Sequence, residues 1–152
     1  YDVERIERKV DIALRYGETL LIYAEALNEY DPGNPQIAWA ANQVRGRAGL
    51  PGVDQLTGNQ VAMREKIREE RRHEFVAEHK RYFDILRWKT AEKVLNEPGY
   101  GINKDEKAPI GDYSVEQFLG QNRTFDASKH YLWPIPQSAR DKNPNLGQNP
   151  NW

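Results

Sequence analysis

Proline placement divides this chain into two kinds of polymer. Residues 1–96 hold three of the nine prolines, at 32, 35 and 51, all between stretches of helical periodicity; the other six stand at 98, 109, 134, 136, 144 and 150. A proline lacks the backbone donor and pushes the residue before it out of helical geometry, so long helices are excluded from most of the second part. The chain is therefore expected to be mainly α, helical over 15–96 and irregular and loop-rich over 97–152.

Within the first part, Tyr16, Leu20, Tyr23, Ala24, Leu27 and Tyr30 recur at helical steps and predict one apolar face. Asp31-Pro-Gly-Asn-Pro35 ends that helix, and Ile37, Ala40, Ala41, Val44 and Ala48 form the facing stripe of a second, closed by Gly49. Helix, short turn and helix make a hairpin of TPR-like spacing, although no second copy of the unit is found. After a loop over 50–59, a long helical pattern runs from Gln60 to Asn96 with Met63, Ile67, Phe75, Tyr82, Ile85, Leu86 and Leu95 as its stripe. Charge interrupts it at Arg71, Glu74 and Glu78, so either these groups face solvent through a twist or kink near His79 to Arg81 or they are buried as paired ions. In the second part Ser114-Val-Glu-Gln117 has the form of a capping box opening a short helix through Leu119, stopped by Gly120.

Composition limits what this architecture can do. Leu, Ile, Val and Phe total 32 of 152 residues, yet the net charge is only -1; low hydrophobicity without high net charge describes a folded chain with a thin core, not a disordered one. Such a core is expected where part of the packing comes from another segment, domain or partner. With 22 basic against 23 acidic residues the chain offers no strong field for nucleic acid. The absence of cysteine removes disulfides and thiolate chemistry. The longest apolar run, Leu20 to Ala24, is far too short to span a bilayer.

Candidate chemistry is sparse. His73 and His79 are six residues apart, about 120° around a helix, and cannot meet one metal as the zinc protease pair does. Glu70, Glu74 and Glu78 follow at four-residue steps along one face and could serve as an acid and base pair, but Arg68, Arg71, Arg72 and Arg81 favour ion pairing. No phosphate loop, dinucleotide fingerprint, nucleophile elbow or calcium loop is present, and no cofactor is implied. Of the four tryptophans, Trp39 and Trp88 fall in helices and are expected in the core, with Trp133 and Trp152 in the irregular part. Tyr100, Tyr113, Phe118 and Phe125 also lie there, where loops can present flat rings to a sugar, and are the candidate ligand-binding residues.

Four blocks carry a family resemblance. They are Arg15-Tyr-Gly-Glu-Thr-Leu-Leu-Ile-Tyr-Ala-Glu-Ala-Leu-Asn28, Asn42-Gln-Val-Arg-Gly-Arg-Ala-Gly-Leu50, Glu70-Arg-Arg-His-Glu-Phe-Val-Ala-Glu-His-Lys-Arg-Tyr-Phe-Asp-Ile-Leu-Arg-Trp88, and Tyr131-Leu-Trp-Pro-Ile-Pro136 with Asn143-Pro-Asn-Leu-Gly-Gln-Asn-Pro150. In this order they resemble the C-terminal part of SusD/RagB proteins, nutrient-binding lipoproteins of the Bacteroidetes outer membrane. Two departures stand out: His79-Lys-Arg81 lacks the family's usual glycine before it, and Asn151 replaces a glycine, though Asn accepts left-handed backbone.

The resemblance implies a SusD-like fold of TPR-like hairpins with an irregular ligand-presenting part, in a chain belonging to a longer polypeptide. It implies non-catalytic binding of a glycan or other nutrient at the cell surface, together with a SusC-like TonB-dependent transporter and the missing N-terminal part of the same protein. Attachment would be by a lipid anchor on a segment not in this chain. Glu70, Arg71, Arg72, Glu74, Arg81, Asp84, Arg87 and Trp88 would form a structural network that touches no ligand, with a buried and paired Arg71. A helical protein-interaction scaffold without its own ligand site, and a glycoside hydrolase using Glu74 or Glu78, are the alternatives.

Overall fold

A computed structural model describes residues 13–103, 114–117 and 123–152. It divides at residue 81 into two units, each with its own core.

The first unit is built on three helices, α1 (Tyr16–Tyr30), α2 (Pro35–Arg47) and α3 (Gln60–Glu74). Asn34 caps α2 by accepting the Gln36 N–H at 3.0 Å, with Pro35 at the first helical position, where its missing donor costs nothing. Gly49, at φ 68°, ends it: the Gly49 N–H donates to the Gly46 carbonyl and the Leu50 N–H to that of Arg45. Side chains of α2 then hold the following loop. Arg45 Nε donates to the Pro51 carbonyl at 2.7 Å, and Asn42 accepts the Val53 N–H at 2.8 Å while donating to Asp54 at 2.9 Å. A single 3-10 turn (Asp54–Leu56) leads to Asn59, which caps α3 by accepting the Ala62 N–H.

Leu20, Leu21, Ala24, Ile37, Ala40, Ala41, Val44, Val53, Met63, Ile67 and Phe75 form the core. The alanines of α2 let α1 approach closely. A fully buried amide, Asn28, donates to the Gln60 carbonyl at 3.0 Å, and Gln60 Nε2 returns a bond to the Asn28 carbonyl.

The apolar face of α1 is turned from the expected one. Leu20 and Ala24 are buried, but Tyr16, Tyr23 and Tyr30 are exposed, and Leu21 and Asn28 take the inner positions. Periodicity alone could not choose, because Leu20 and Leu21 are adjacent and either can anchor a stripe; the aliphatic pair won over the phenols. Trp39 is likewise exposed and not a core residue, whereas Trp88 is half-buried beneath the Arg87 guanidinium, 5.0 Å above its ring.

The long helix expected over 60–96 is three: α3, α4 (Arg81–Arg87) and α5 (Ala91–Leu95). The first break contains Ala77 and His79 in left-handed backbone, at φ 62° and 58°. The bend therefore exists without glycine. A non-glycine residue there costs about 1–2 kcal/mol, so the neighbouring side chains must hold it. Lys89, at φ 54°, ends α4 with the same bond pattern that Gly49 gives α2.

In the second unit, Ile85, Ala91 and Phe125 form a small core with Leu86, Val94, Leu95 and Tyr131 against it. Strand β1 (Tyr100–Asn103) pairs antiparallel with β2 (Ser114–Gln117), Tyr100 opposite Gln117 and Asn103 opposite Ser114. The helix expected from Ser114 is thus a strand over 114–117. The Ser114 hydroxyl donates to the Glu116 carboxylate instead of capping backbone. Leu119 and Gly120 lie outside the described residues. A short helix, α6 (Gln137–Lys142), follows Pro136 in the otherwise irregular end. Among the described residues no helix is long and apolar enough to cross a membrane.

The turned face of α1 has a direct test in chemical denaturation. Leu21→Ala, at a fully buried position, should cost about 2–5 kcal/mol. Tyr30→Ala, at a position 89% exposed, should change stability by no more than about 0.5 kcal/mol.

Candidate functional site

The acidic face of α3 is occupied by arginine. Arg15 Nε donates to both Glu78 carboxylate oxygens at 3.1 and 3.0 Å, its Nη1 donates to Glu74, and its Nη2 reaches the Glu74 backbone carbonyl at 2.6 Å. Arg47 donates to both Glu74 oxygens at 2.8 and 2.9 Å. Glu70, buried, pairs with the buried Arg45. Phe75 lies among these ions, with the Arg15 and Arg71 guanidinium carbons 4.7 and 5.1 Å from its ring centre. Gly17 leaves room for this clamp, since a Cβ there would stand 2.9 Å from Arg15 Nη1. Lys80 adds a bond to the Ala13 carbonyl and an ion pair with Glu18, each about 3 Å.

The hydrogen bond from Arg15 holds the Glu78 carboxyl below the usual carboxylate range, and the same contact raises Arg15. A glycosidase acid needs the opposite shift, a carboxyl that stays protonated near neutral pH. Of the predicted network, Glu70, Arg71, Glu74 and Asp84 are screened from solvent, the last receiving Arg87 Nε at 3.0 Å. Arg81 is half-buried and Arg72 exposed. Arg15, Arg45 and Arg47 are the cations that sequence reasoning left out of this set. The helical spacing of Arg45 from Ala41 and Val44 was the signal that could have found one of them.

A different arrangement occupies the second unit. Tyr82, Phe125, His130, Trp133 and Trp152, with Thr124, Leu132 and Pro134, line a recess of about 360 Å³. The rings meet edge to face: Tyr82 and Trp133 at 6.5 Å, Phe125 and His130 at 5.6 Å, Phe125 and Tyr131 at 4.9 Å. His130 also lies 5.7 Å from Trp152. Side-chain amides hold these walls where no sheet does. Gln148 accepts the Ile135 N–H at 2.8 Å and donates to the Ile135 carbonyl at 3.1 Å, and Asn149 donates to the Trp133 carbonyl at 2.6 Å. Asn151, left-handed at φ 62° as its residue type allows, donates to Ser128. Trp152 Nε1 donates to the Lys129 and Leu132 carbonyls at 3.1 and 2.9 Å. Asn96 brackets Phe125 in the same way, at 2.6 and 3.0 Å.

The four predicted ligand aromatics are not gathered here. Phe125 is a buried wall, 6% exposed, able to offer little more than an edge; Tyr100 stands exposed on β1. Tyr113 and Phe118 lie outside the described residues. Tyr82, His130, Trp133 and Trp152 complete the recess, and the signal for its walls was the run of Asn and Gln at the end of the chain, whose amides pair with backbone outside any ladder. Among the described residues no three acidic or histidine side chains converge to hold a metal.

Comparison with known proteins places this architecture. The SusD family model matches residues 3–152, and the chain belongs to the SusD family. SusD-like protein P2 of Formosa agariphila is 33% identical over 144 residues, covering 91% of this chain and 25% of the relative. The crystal structure of a SusD-like protein from Bacteroides fragilis superposes with a TM-score of 0.78 at 30% identity, over 91% of this chain and 25% of that one. A SusD homologue from Bacteroides thetaiotaomicron gives 0.62 at 28% identity, over 92% and 26%. The chain thus spans about a quarter of the length of these relatives, and the mainly helical SusD-like fold is shared with them.

Two measurements probe the ion network. Arg71→Ala, at a position 3% exposed, should cost about 3–5 kcal/mol because it strips a buried charged site, while Arg72→Ala should stay within about 0.5 kcal/mol. Glu78 is depressed in the fold, so its stabilisation is complete above the ordinary carboxylate pKa of about 4.3 and is lost as pH falls through that value toward the lower folded one. Denaturation curves should therefore show stability falling below about pH 5, with a shallower fall in Glu78→Gln, which is already weaker at neutral pH.

Proposed function

We propose that this chain is part of a non-catalytic protein that binds a glycan or other nutrient at the outer surface of the outer membrane. The reading rests on membership of the SusD family over nearly the whole chain, and one observation of the second unit supports it. The recess there carries solvent-reached aromatic faces, with Trp133 67% exposed and Trp152 and Tyr82 partly so. Flat apolar rings beside a few polar atoms, here the Thr124 hydroxyl and the His130 ring, suit the alternating apolar faces and hydroxyl edges of a sugar. Tyr100, exposed on β1, would extend such a surface, and the buried Phe125 would support it from behind; Tyr113 and Phe118 stay candidate ligand residues outside the described part of the chain.

The whole protein would pass its ligand to a SusC-like TonB-dependent transporter, and would be held at the membrane by a lipid on a segment not in this chain. Tyr16, Tyr23, Tyr30 and Trp39, exposed on α1 and α2, favour a second role for the first unit: a scaffold face covered by the missing N-terminal part of the same protein. No bond is broken in either role.

Affinity gel electrophoresis through a panel of embedded polysaccharides tests the binding. One glycan should retard the chain, and Trp133→Ala should weaken the apparent affinity at least tenfold, about 1.4 kcal/mol. Retardation lost in Tyr100→Ala but kept in Trp133→Ala would move the ligand to the strands. No retardation by any polysaccharide would leave the scaffold role alone for this part of the protein.

A further inference from the structure

His130 is joined to the turn before it by a bond that only one protonation state permits. The Asp126 N–H donates to His130 Nδ1 at 2.8 Å. Nδ1 must then carry its lone pair, which places the ring proton on Nε2. The same turn is closed by the His130 N–H on the Asp126 carbonyl at 2.7 Å. The Asp126 carboxylate is engaged on the other side, accepting the Ser128 N–H at 2.8 Å and the Ser128 hydroxyl at 2.7 Å. The imidazole meets Phe125 edge to face at 5.6 Å and Trp152 at a tilt at 5.7 Å, two walls of the recess.

A proton added to His130 goes to Nδ1. The new N–H would point at the Asp126 N–H, so an acceptor contact becomes a repulsion between two donors. Among the described residues two charged groups lie beside this ring. The Asp126 carboxylate attracts an imidazolium, but it is exposed to screening and already holds two Ser128 donors. The Lys129 ammonium, 4.1 Å from the centre of the Trp152 ring, opposes a second cation there. Tyr82 contributes a phenol ring to the recess. Relief comes by rotating the ring away from the Asp126 amide, which removes the surface against which Trp152 is set.

We propose that His130 is a proton-operated latch on the aromatic recess: neutral His130 holds the 126–130 turn and the Trp152 wall in place, and protonation releases them. Neither step needs a ligand, so the latch stands or falls apart from the proposed glycan binding.

The test is an NMR titration of the ¹⁵N-labelled 152-residue chain between about pH 8 and pH 5, the range in which histidine ordinarily changes charge. The Asp126 amide and the Trp152 indole signals should shift together with a single proton. In His130→Asn, whose carboxamide oxygen can take the place of Nδ1 without titrating, both should keep their pH 8 positions throughout. In His130→Gln, which puts its acceptor at the other ring nitrogen's place, both should sit at the released positions at every pH. Asp126→Asn keeps the backbone donor and removes the carboxylate, and should still titrate. Signals that stay fixed in the wild type, or that move equally in His130→Asn, would overturn the latch, as would a titration abolished by Asp126→Asn.

Discussion

The Arg15 guanidinium is the interaction on which the first unit depends. It joins the entry of α1 to the exit of α3, and does so at the point where the backbone is least favourable. Ala77 and His79 are both left-handed without glycine, and a chain free to choose would continue the helix or extend. Bonds from one planar cation to Glu74 and Glu78, with Lys80 tied to Ala13 and Glu18, fix both ends of the bend. The fork geometry of arginine matters here, because a lysine could not serve two carboxylates and a carbonyl at once. Charge placed inside also explains why so few aliphatic residues suffice: Glu70, Arg45 and Arg71 occupy volume that leucine would fill in a richer core.

The second unit solves a different problem. Its proline-rich segments cannot form long helices or a central ladder, yet their peptide groups still need partners. Asn96, Gln148, Asn149 and Asn151 supply them, each amide standing in for a neighbouring strand. An amide offers both a donor and an acceptor, so Gln148 can satisfy the N–H and carbonyl of Ile135 together. Walls held in this way leave aromatic faces free, whereas a packed sheet would bury one side of each ring.

This contrast explains what could be read from the residues. The bounds of α1 and α2 were legible because proline, glycine and asparagine act locally, through φ and through capping. Which residues of α1 face inward was not, since Leu20 and Leu21 support two stripes and the choice is made by α2 and α3. Charges interrupting the long pattern left open solvent exposure through a kink or burial in pairs; the ions are paired and the helix also breaks, while Arg15 and Arg47 come from elsewhere in the chain, beyond the reach of any spacing rule. Ser114 to Gln117 has a capping sequence and forms a strand, because pairing with residues 100–103 outweighs a cap of about 1 kcal/mol. The recess was least legible: Tyr82 is separated from Trp152 by the whole second unit, and Phe125, taken for a presented ring, is the residue around which the others pack.

Exposed aromatics in this chain therefore carry two meanings that composition cannot separate. Tyr16, Tyr23 and Tyr30 recur every seventh residue on a regular helix, which places them on one ridge suited to another packed element. Trp133 and Trp152 follow no repeat; the Trp152 ring is fixed by two hydrogen bonds from its indole, and Asn149 holds the backbone of Trp133. A ridge gains stability only by being covered, since its rings cost little while unconfined. A ring already immobilised has lost its rotamer freedom before any ligand arrives, so stacking there is not opposed by that entropy. On this physical ground the recess suits the ligand role proposed for it, and the tyrosine ridge suits the proposed scaffold role.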